Sequence, residues 1–261
     1  MKIITINTHS YIEESYEEKL KIFVSEMKRE MPDIIAMQEV NQKSENSITN
    51  SDFLVKGYGI PLKKDNYALR VAKILDCYKL IWVGIKRGYD VFDEGLAFLV
   101  NSDVEDTDAF YISKTHDINN WKTRMALGVK INSEWFYNVH MGRWDDEEED
   151  FKSQWNVFAR NFKHGERTWI MGDFNAPDSK VNEGYSLMTN SGWYDTYELA
   201  VCKDDGFTVT ECIDGWREDN VNLMRIDYIL SDKKTRILSS ETIFKKECKV
   251  SDHYGIKIIT E

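Results

Sequence analysis

Apolar runs of strand length recur along this chain, and most of the gaps between them are long enough to hold a helix. Residues 2–8 and 33–40 read as buried strands, and the amphipathic segment 16–30 between them reads as a helix. The same reading predicts strands at 79–85, 96–101, 124–131, 135–141, 168–172, 225–230 and 254–259. Helices are predicted near 66–78, 147–162 and 183–189. Strands joined mostly by long connections point to α/β architecture rather than an antiparallel barrel. Pro32, Pro61 and Pro177 fall at element edges or in loops. Without a repeat, a low-complexity tract or a flexible linker, one domain over residues 1–261 is expected. Residues 41–64 are polar and aperiodic, and are expected to form a long surface loop.

Composition narrows the function classes. Apolar residues make up 42% of the 261, and aromatics 13%, which is enough to build a core and excludes global disorder. No apolar run approaches the roughly 18 residues of a membrane span. Residues 1–7 lack the apolar stretch and cleavage site of a signal peptide, so a cytoplasmic location is expected. Cys77, Cys202, Cys212 and Cys248 are scattered without CxxC spacing, which favours reduced thiols over a zinc site or disulfide scaffold. The 34 Lys and Arg against 45 Asp and Glu give a net charge of −11. That balance disfavours a nucleic-acid partner but leaves room for a local basic pocket.

The chemistry is concentrated where apolar runs stop. Ile3-Ile4-Thr5-Ile6 ends in Asn7, and Ile34-Ile35-Ala36-Met37 runs into Gln38-Glu39. Trp135-Phe136-Tyr137-Asn138-Val139 delivers His140, and Trp169-Ile170-Met171-Gly172 delivers Asp173-Phe174-Asn175. Met224-Arg225-Ile226 leads into Asp227, and Ser251-Asp252-His253 precedes the last strand. Any one of these is an ordinary turn former. Strand ends converge in space, so together they are able to build one site.

This pattern resembles the endonuclease/exonuclease/phosphatase superfamily, the metal-dependent phosphoesterases with a DNase I-like fold. The likeness spans Asn7 to His253, and is carried best by Gln38-Glu39-Val40, Gly172-Asp173-Phe174-Asn175, Arg225-Ile226-Asp227-Tyr228 and Ser251-Asp252-His253. It implies a four-layer αββα sandwich with two mixed β-sheets. It implies Glu39 as the principal metal ligand, with Asn7 beside it and Asp252 nearby. Oxygen donors without cysteine favour a hard cation, Mg2+ or Mn2+. By the same resemblance, Asp173 and Asn175 orient the attacking water and a non-bridging oxygen. His253, with Asp227 as its candidate carboxylate, acts as acid/base or binds the phosphoryl group. His140 sits against the phosphate, with Glu94 as its expected orienting partner. The division of proton transfer between Asp173 and His253 stays open.

The segments Asn7-Thr8-His9-Ser10-Tyr11, Trp121-Lys122-Thr123-Arg124, Trp144-Asp145-Asp146-Glu147-Glu148 and Gly192 to Ala200 are similar to a narrower group, the maltose 6'-phosphate phosphatases of Gram-positive bacteria. That likeness implies a small-molecule sugar phosphate as substrate, with no membrane or nucleic-acid partner. Lys122, Arg124 and Arg143 are candidate phosphate or substrate contacts, because a guanidinium suits bidentate phosphate binding. Trp144, Asp145 and Trp216 are candidate sugar contacts, since an indole flanked by charges sits awkwardly in a core. The acidic residues 145–150 are expected to complement the positive end of the following helix rather than bind calcium. A nuclease of the same superfamily is the alternative. A catalytically dead binding module is disfavoured because Glu39, Asp173, Asn175, Asp252 and His253 are all present.

Overall fold

A computed structural model of the chain describes residues 1–49, 59–213, 216 and 223–261. In chain order the elements are β1 (Lys2–Asn7), α1 (Tyr16–Glu30), β2 (Ile34–Lys43), α2 (Tyr67–Leu75), β3 (Lys79–Gly88), β4 (Phe92–Val100), β5 (Asp106–Tyr111), β6 (Met125–Ile131) and β7 (Glu134–His140). They continue with α3 (Phe151–Asn161), β8 (Thr168–Asp173), α4 (Gly184–Asn190), β9 (Tyr194–Asp195), α5 (Thr196–Leu199), β10 (Ala200–Lys203), β11 (Asp227–Ser231), β12 (Ile237–Ile243) and β13 (Gly255–Thr260). Among the described residues one sheet has seven strands in the order β10-β12-β13-β1-β2-β4-β3, and the other has six in the order β5-β6-β7-β8-β11-β9. Both are mixed: β1 runs parallel to β2 and β7 parallel to β8, each pair joined through a helix.

Side-chain alternation explains the layering. On β1 and β2, Ile3, Ile34 and Ala36 point to the other sheet, where they meet Phe136, Trp169 and Met171. Their neighbours Ile4, Ile6, Ile35 and Met37 point outward onto Leu20, Phe23 and Met27 of α1 and Val71 of α2. On the far side, Tyr137 and Ile170 of the second sheet pack against Trp155 and Phe158 of α3 and Met188 of α4. Three apolar slabs therefore separate four layers, helix–sheet–sheet–helix, and strands apolar on both faces are what such a sandwich requires. Among the described residues no helix is long and apolar enough to cross a bilayer.

Several elements differ from the sequence expectation. β5, β9, β10, β12 and α5 were not foreseen. β5 is an edge strand whose first residues, Asp106 and Thr107, are exposed, and β12 carries Ser239, Ser240 and Glu241 in its middle, so neither shows the apolar run of a buried strand. The loop expected at 41–64 is shorter, because β2 continues to Lys43 and bridges join Ile48 to Lys63 and Ile60 to Gly84. Part of it, residues 50–58, lies outside the described residues. The third helix starts at Phe151 rather than 147, capped by the Asp150 carboxylate, which accepts from the Ser153 N–H at 2.8 Å.

Candidate active site

The two parallel pairs bring their C-terminal ends to one place. On the first sheet Asn7 is in register with Gln38, and on the second His140 is in register with Asp173. β11 then runs antiparallel to β8 and sets Asp227 opposite Asp173. Gly172 makes this approach possible. Its φ is 137°, and a Cβ there would stand 2.0 Å from the Val139 carbonyl oxygen, so any other residue would push β7 and His140 away.

Glu39 is not at a strand end, as the sequence reading had it, but inside β2. Met37 pairs with Ala97 and Val40 with Gly95, so β2 carries one extra residue between them, and Glu39 adopts a left-handed φ of 48°. This bulge interrupts the alternation and sends neighbouring side chains to different surroundings. Gln38 turns into the sandwich, donating to Asn138 Oδ1 at 2.6 Å and to Thr5 Oγ1 at 3.1 Å. Asn138 in turn donates to the carbonyls of Met37 and Ala97, both at 3.0 Å, and fixes the backbone beside the bulge. Glu39 is left facing the site.

Asp173 is the hub. Its Oδ2 lies 3.1 Å from Asn7 Nδ2, 3.6 Å from His140 Nε2 and 3.8 Å from His253 Nε2, while Oδ1 accepts the Asn175 N–H at 2.9 Å. Burial, then repulsion from Asp227, raises its carboxyl to about 7 against the opposing pull of His253. His253 gives its other nitrogen, Nδ1, to Asp227 Oδ2 at 2.9 Å, as the sequence reading expected. Burial disfavours the imidazolium there, but Asp227 and Asp173 outweigh it and raise the His253 pKa. His140 goes the other way: burial, then Arg124, Lys86 and His253, drive its pKa down. The site thus holds one histidine biased to be charged and one biased to be neutral, the separation that acid–base roles need.

The residues expected to hold a metal flank this hub. Asn7 Nδ2 donates to Glu39 Oε1 at 2.9 Å. Ser251 Oγ donates to the Asn7 carbonyl at 2.7 Å and to Asp252 Oδ1 at 3.1 Å, bringing the C-terminal segment against β1. Asp252 also lies 3.7 Å from His9 Nδ1, and Glu13 binds both, accepting from the Asp252 N–H at 3.0 Å and pairing with His9 at 2.7 Å. The donor set fits a hard divalent cation. Glu39 is half-buried, and burial, then the charges of Glu94 and Asp252, raise its carboxyl, so a cation beside it would be favoured. Asp227 Oδ1 is buried without a hydrogen-bond partner.

A cavity of about 360 Å³ opens beside these groups, lined among others by Glu39, Glu94, His140 and Asn175. Arg124 faces it from a nearly buried position, its Nη1 donating to the Trp121 carbonyl at 2.7 Å. Lys122 and Arg143 also line it. Lys122 is paired with Asp146 at 2.8 Å and Glu148 at 3.0 Å, and Arg143 with Asp145 at 3.1 Å.

Four sequence-derived assignments need correction. Glu94 pairs with Lys86 Nζ at 3.1 Å, while the carboxylates beside His140 are Asp173 and Glu39, the latter at 3.9 Å. Trp144 packs on the core ring of Phe151 and does not line the cavity. Asp145 is exposed, and its role is to hold Arg143. Trp216 is only 6% exposed and closes a small core with Val209, Ile213, Met224 and Ile226. Its indole N–H donates to Asn175 Oδ1 at 3.0 Å, and the Arg143 guanidinium stacks 4.4 Å above its ring. Trp216 therefore acts from behind the site, by orienting Asn175. Its neighbours Asp214, Gly215 and Arg217 lie outside the described residues.

The acidic residues 145–150 do more than face a helix dipole. Asp146 accepts the N–H groups of Glu148 and Glu149, and buried Glu149 accepts those of Lys114 and Thr115 at 2.8 and 2.7 Å. They staple the cavity wall. Sequence reasoning missed Lys86 and Tyr89, and quoted Trp121 within a motif without assigning it to the site; all three line the cavity. Lys86 follows the predicted strand 79–85 and stands next to Arg87, where a basic pair reads as ordinary surface charge, and Tyr89 sits in an unmarked turn.

The fold and this centre define a divalent-metal-dependent hydrolase of the DNase I-like α/β sandwich class. The chain belongs to the Endonuclease/Exonuclease/phosphatase family, whose sequence model matches residues 4–253. It is similar to the structure of an endonuclease/exonuclease/phosphatase family protein from Leptotrichia buccalis, at 32% identity and TM-score 0.89, covering 100% of this chain and 99% of the other. It shares its fold with a mannosyl-6-phosphatase from Bacteroides thetaiotaomicron (16% identity, TM-score 0.69, 100% and 99% covered). The fold is also that of truncated TDP2 from Caenorhabditis elegans (19%, 0.62, 98% and 95%). No curated protein sequence matches the chain significantly.

Proposed function

We propose that this protein is a cytoplasmic Mg2+- or Mn2+-dependent phosphomonoesterase that hydrolyses a sugar phosphate, with maltose 6'-phosphate the substrate the sequence resemblance favours. The observation that carries the reading is the pairing of Lys86 and Arg124. Each is only 7% exposed, and both line the cavity beside His140. Burying two cations is costly unless anions meet them directly; Glu94 pairs with Lys86, whereas Arg124 Nη1 donates to the Trp121 and Thr123 carbonyls and its Nε is buried without a partner. A phosphoryl dianion supplies the rest. The same cavity is of small-molecule size, within the range of about 300–1,000 Å³ usual for ligand pockets.

In this reading Glu39, Asn7 and Asp252 hold the cation, which when bound stabilises charge on the phosphoryl group and the leaving oxygen. Asp173 Oδ2 accepts a proton from the attacking water. The water oxygen bonds to phosphorus as the bond from phosphorus to the sugar oxygen breaks, and the sugar oxygen takes up a proton from solvent, giving free sugar and inorganic phosphate. His253, held charged by Asp227, and neutral His140 donate hydrogen bonds to phosphoryl oxygens. Asn175, fixed by Trp216 and by its own bond to the Met141 carbonyl at 3.0 Å, orients the water.

The test is a paired assay with Mg2+. The protein is expected to release phosphate from maltose 6'-phosphate faster than from glucose 6-phosphate and to leave plasmid DNA intact. Efficient nicking, with no phosphate released from any sugar phosphate, overturns the reading in favour of a nuclease.

A further inference from the structure

We propose that Tyr89 and Trp121 form the subsite for the alcohol part of the monoester, receiving a sugar ring by its apolar face. This rests on the phosphomonoesterase reading and adds to it the residues that choose the substrate. The tryptophans that the sequence offers for this role, Trp144 and Trp216, are turned into apolar cores, whereas Tyr89 and Trp121 line the cavity and are 53% and 62% exposed.

Their placement is built rather than incidental. Tyr89 and Asp90 form the turn between β3 and β4, with φ of 49° and 59°. Gly88 pairs with Phe92, so Val91 completes a three-residue loop, and an aromatic residue in the left-handed region is held there at a conformational cost. Trp121 comes from the connection between β5 and β6. The two segments are joined where the Arg87 N–H donates to the Ile118 carbonyl at 2.6 Å.

Trp121 is also fixed to the phosphate end of the cavity. Its carbonyl accepts from Lys86 Nζ at 2.9 Å and from Arg124 Nη1 at 2.7 Å, so the two buried cations that face the phosphoryl group also set the position of the indole. The Lys122 ammonium stands 5.5 Å from the Trp121 ring centre. An aromatic face beside ammonium, guanidinium and carboxylate groups (Lys122, Arg143, Asp146) matches a polyhydroxylated ring, which presents C–H groups on one side and hydroxyls at its edge.

The experiment compares kcat/KM on maltose 6'-phosphate with kcat/KM on methyl phosphate, which has no ring to stack. For Trp121→Ala and Tyr89→Ala, the ratio of the two is expected to fall about tenfold, through KM for the sugar phosphate, the size of one lost stacking contact. Trp121→Phe is expected to restore most of it. An equal loss on both substrates, or an unchanged ratio, overturns the subsite while leaving the phosphatase reading intact. A wild-type protein that hydrolyses neither monoester overturns that reading and the subsite with it.

Discussion

Asn7 Nδ2 donates to Glu39 Oε1 at 2.9 Å and to Asp173 Oδ2 at 3.1 Å, so one amide ties a carboxylate of the first sheet to a carboxylate of the second. Its N–H groups do in part what a cation does more fully, offsetting the repulsion between two acids. Replacing it by alanine leaves both uncompensated. Asn7→Ala is expected to lower kcat by about 100-fold or more and to destabilise the metal-free protein by roughly 1–3 kcal/mol, the cost of an unpaired buried polar group. Steady-state phosphate release and urea unfolding check this, and a variant with near wild-type kcat contradicts it.

Asp173→Asn keeps the shape of the hub but removes the proton acceptor. Turnover is expected to vanish while the melting temperature stays within a few degrees or rises, because the substitution also removes repulsion from Asp227. Retention of most of the rate would take Asp173 out of its role.

Asn138 never touches the cavity, yet it holds the backbone beside the bulge that aims Glu39. Asn138→Ala orphans two buried carbonyls and the Gln38 amide. The expected result is a loss of about 2–4 kcal/mol in stability and a roughly 10- to 100-fold weaker Mg2+ affinity. Denaturant unfolding and calorimetric titration measure the two separately, and an unchanged Mg2+ affinity would show that the bulge does not need this support.

His9 gives a pH signature. Burial by itself lowers its pKa, but the Glu13 hydrogen bond, then Asp252 and Glu39, outweigh it and carry it up to about 9. A folded-state pKa above the unfolded value of 6.5 means that the imidazolium stabilises the fold fully below pH 6.5, and that this contribution is lost as pH rises through 9. In EDTA, the melting temperature of His9→Gln is expected to lie about 2–4 °C below wild type at pH 6, with the gap closing by about pH 10. A gap independent of pH contradicts the pairing.

What could be read in the sequence follows from where each residue stands. Asn7, His140 and Asp173 end strands and Asp227 begins one, so each marks the edge of an apolar run and announces itself. The apolar runs at 2–8 and 33–40, with an amphipathic stretch between them, likewise carried the α/β architecture, though the αββα layering came only with the family resemblance. That Glu39 reaches the site from a bulge within β2 could not be read, because a bulge is a backbone event that leaves no mark in residue type, and Glu94 was given His140 as partner where the structure gives it Lys86. Trp216 was misread since its flanking charges say nothing about Val209, Ile213, Met224 and Ile226, which close over it from other parts of the chain. Lys86 was hidden for the opposite reason: a cation just past an apolar run has meaning only once Arg124 and Glu94 are seen beside it.

The most direct measurement of the central claim is phosphate release from maltose 6'-phosphate by protein stripped with a chelator, before and after Mg2+ is restored, with Glu39→Gln assayed alongside. No release is expected without metal, full release on restoring it, and a loss of about 100-fold or more in the variant. Metal-independent release, or a Glu39→Gln variant as active as wild type, would contradict it.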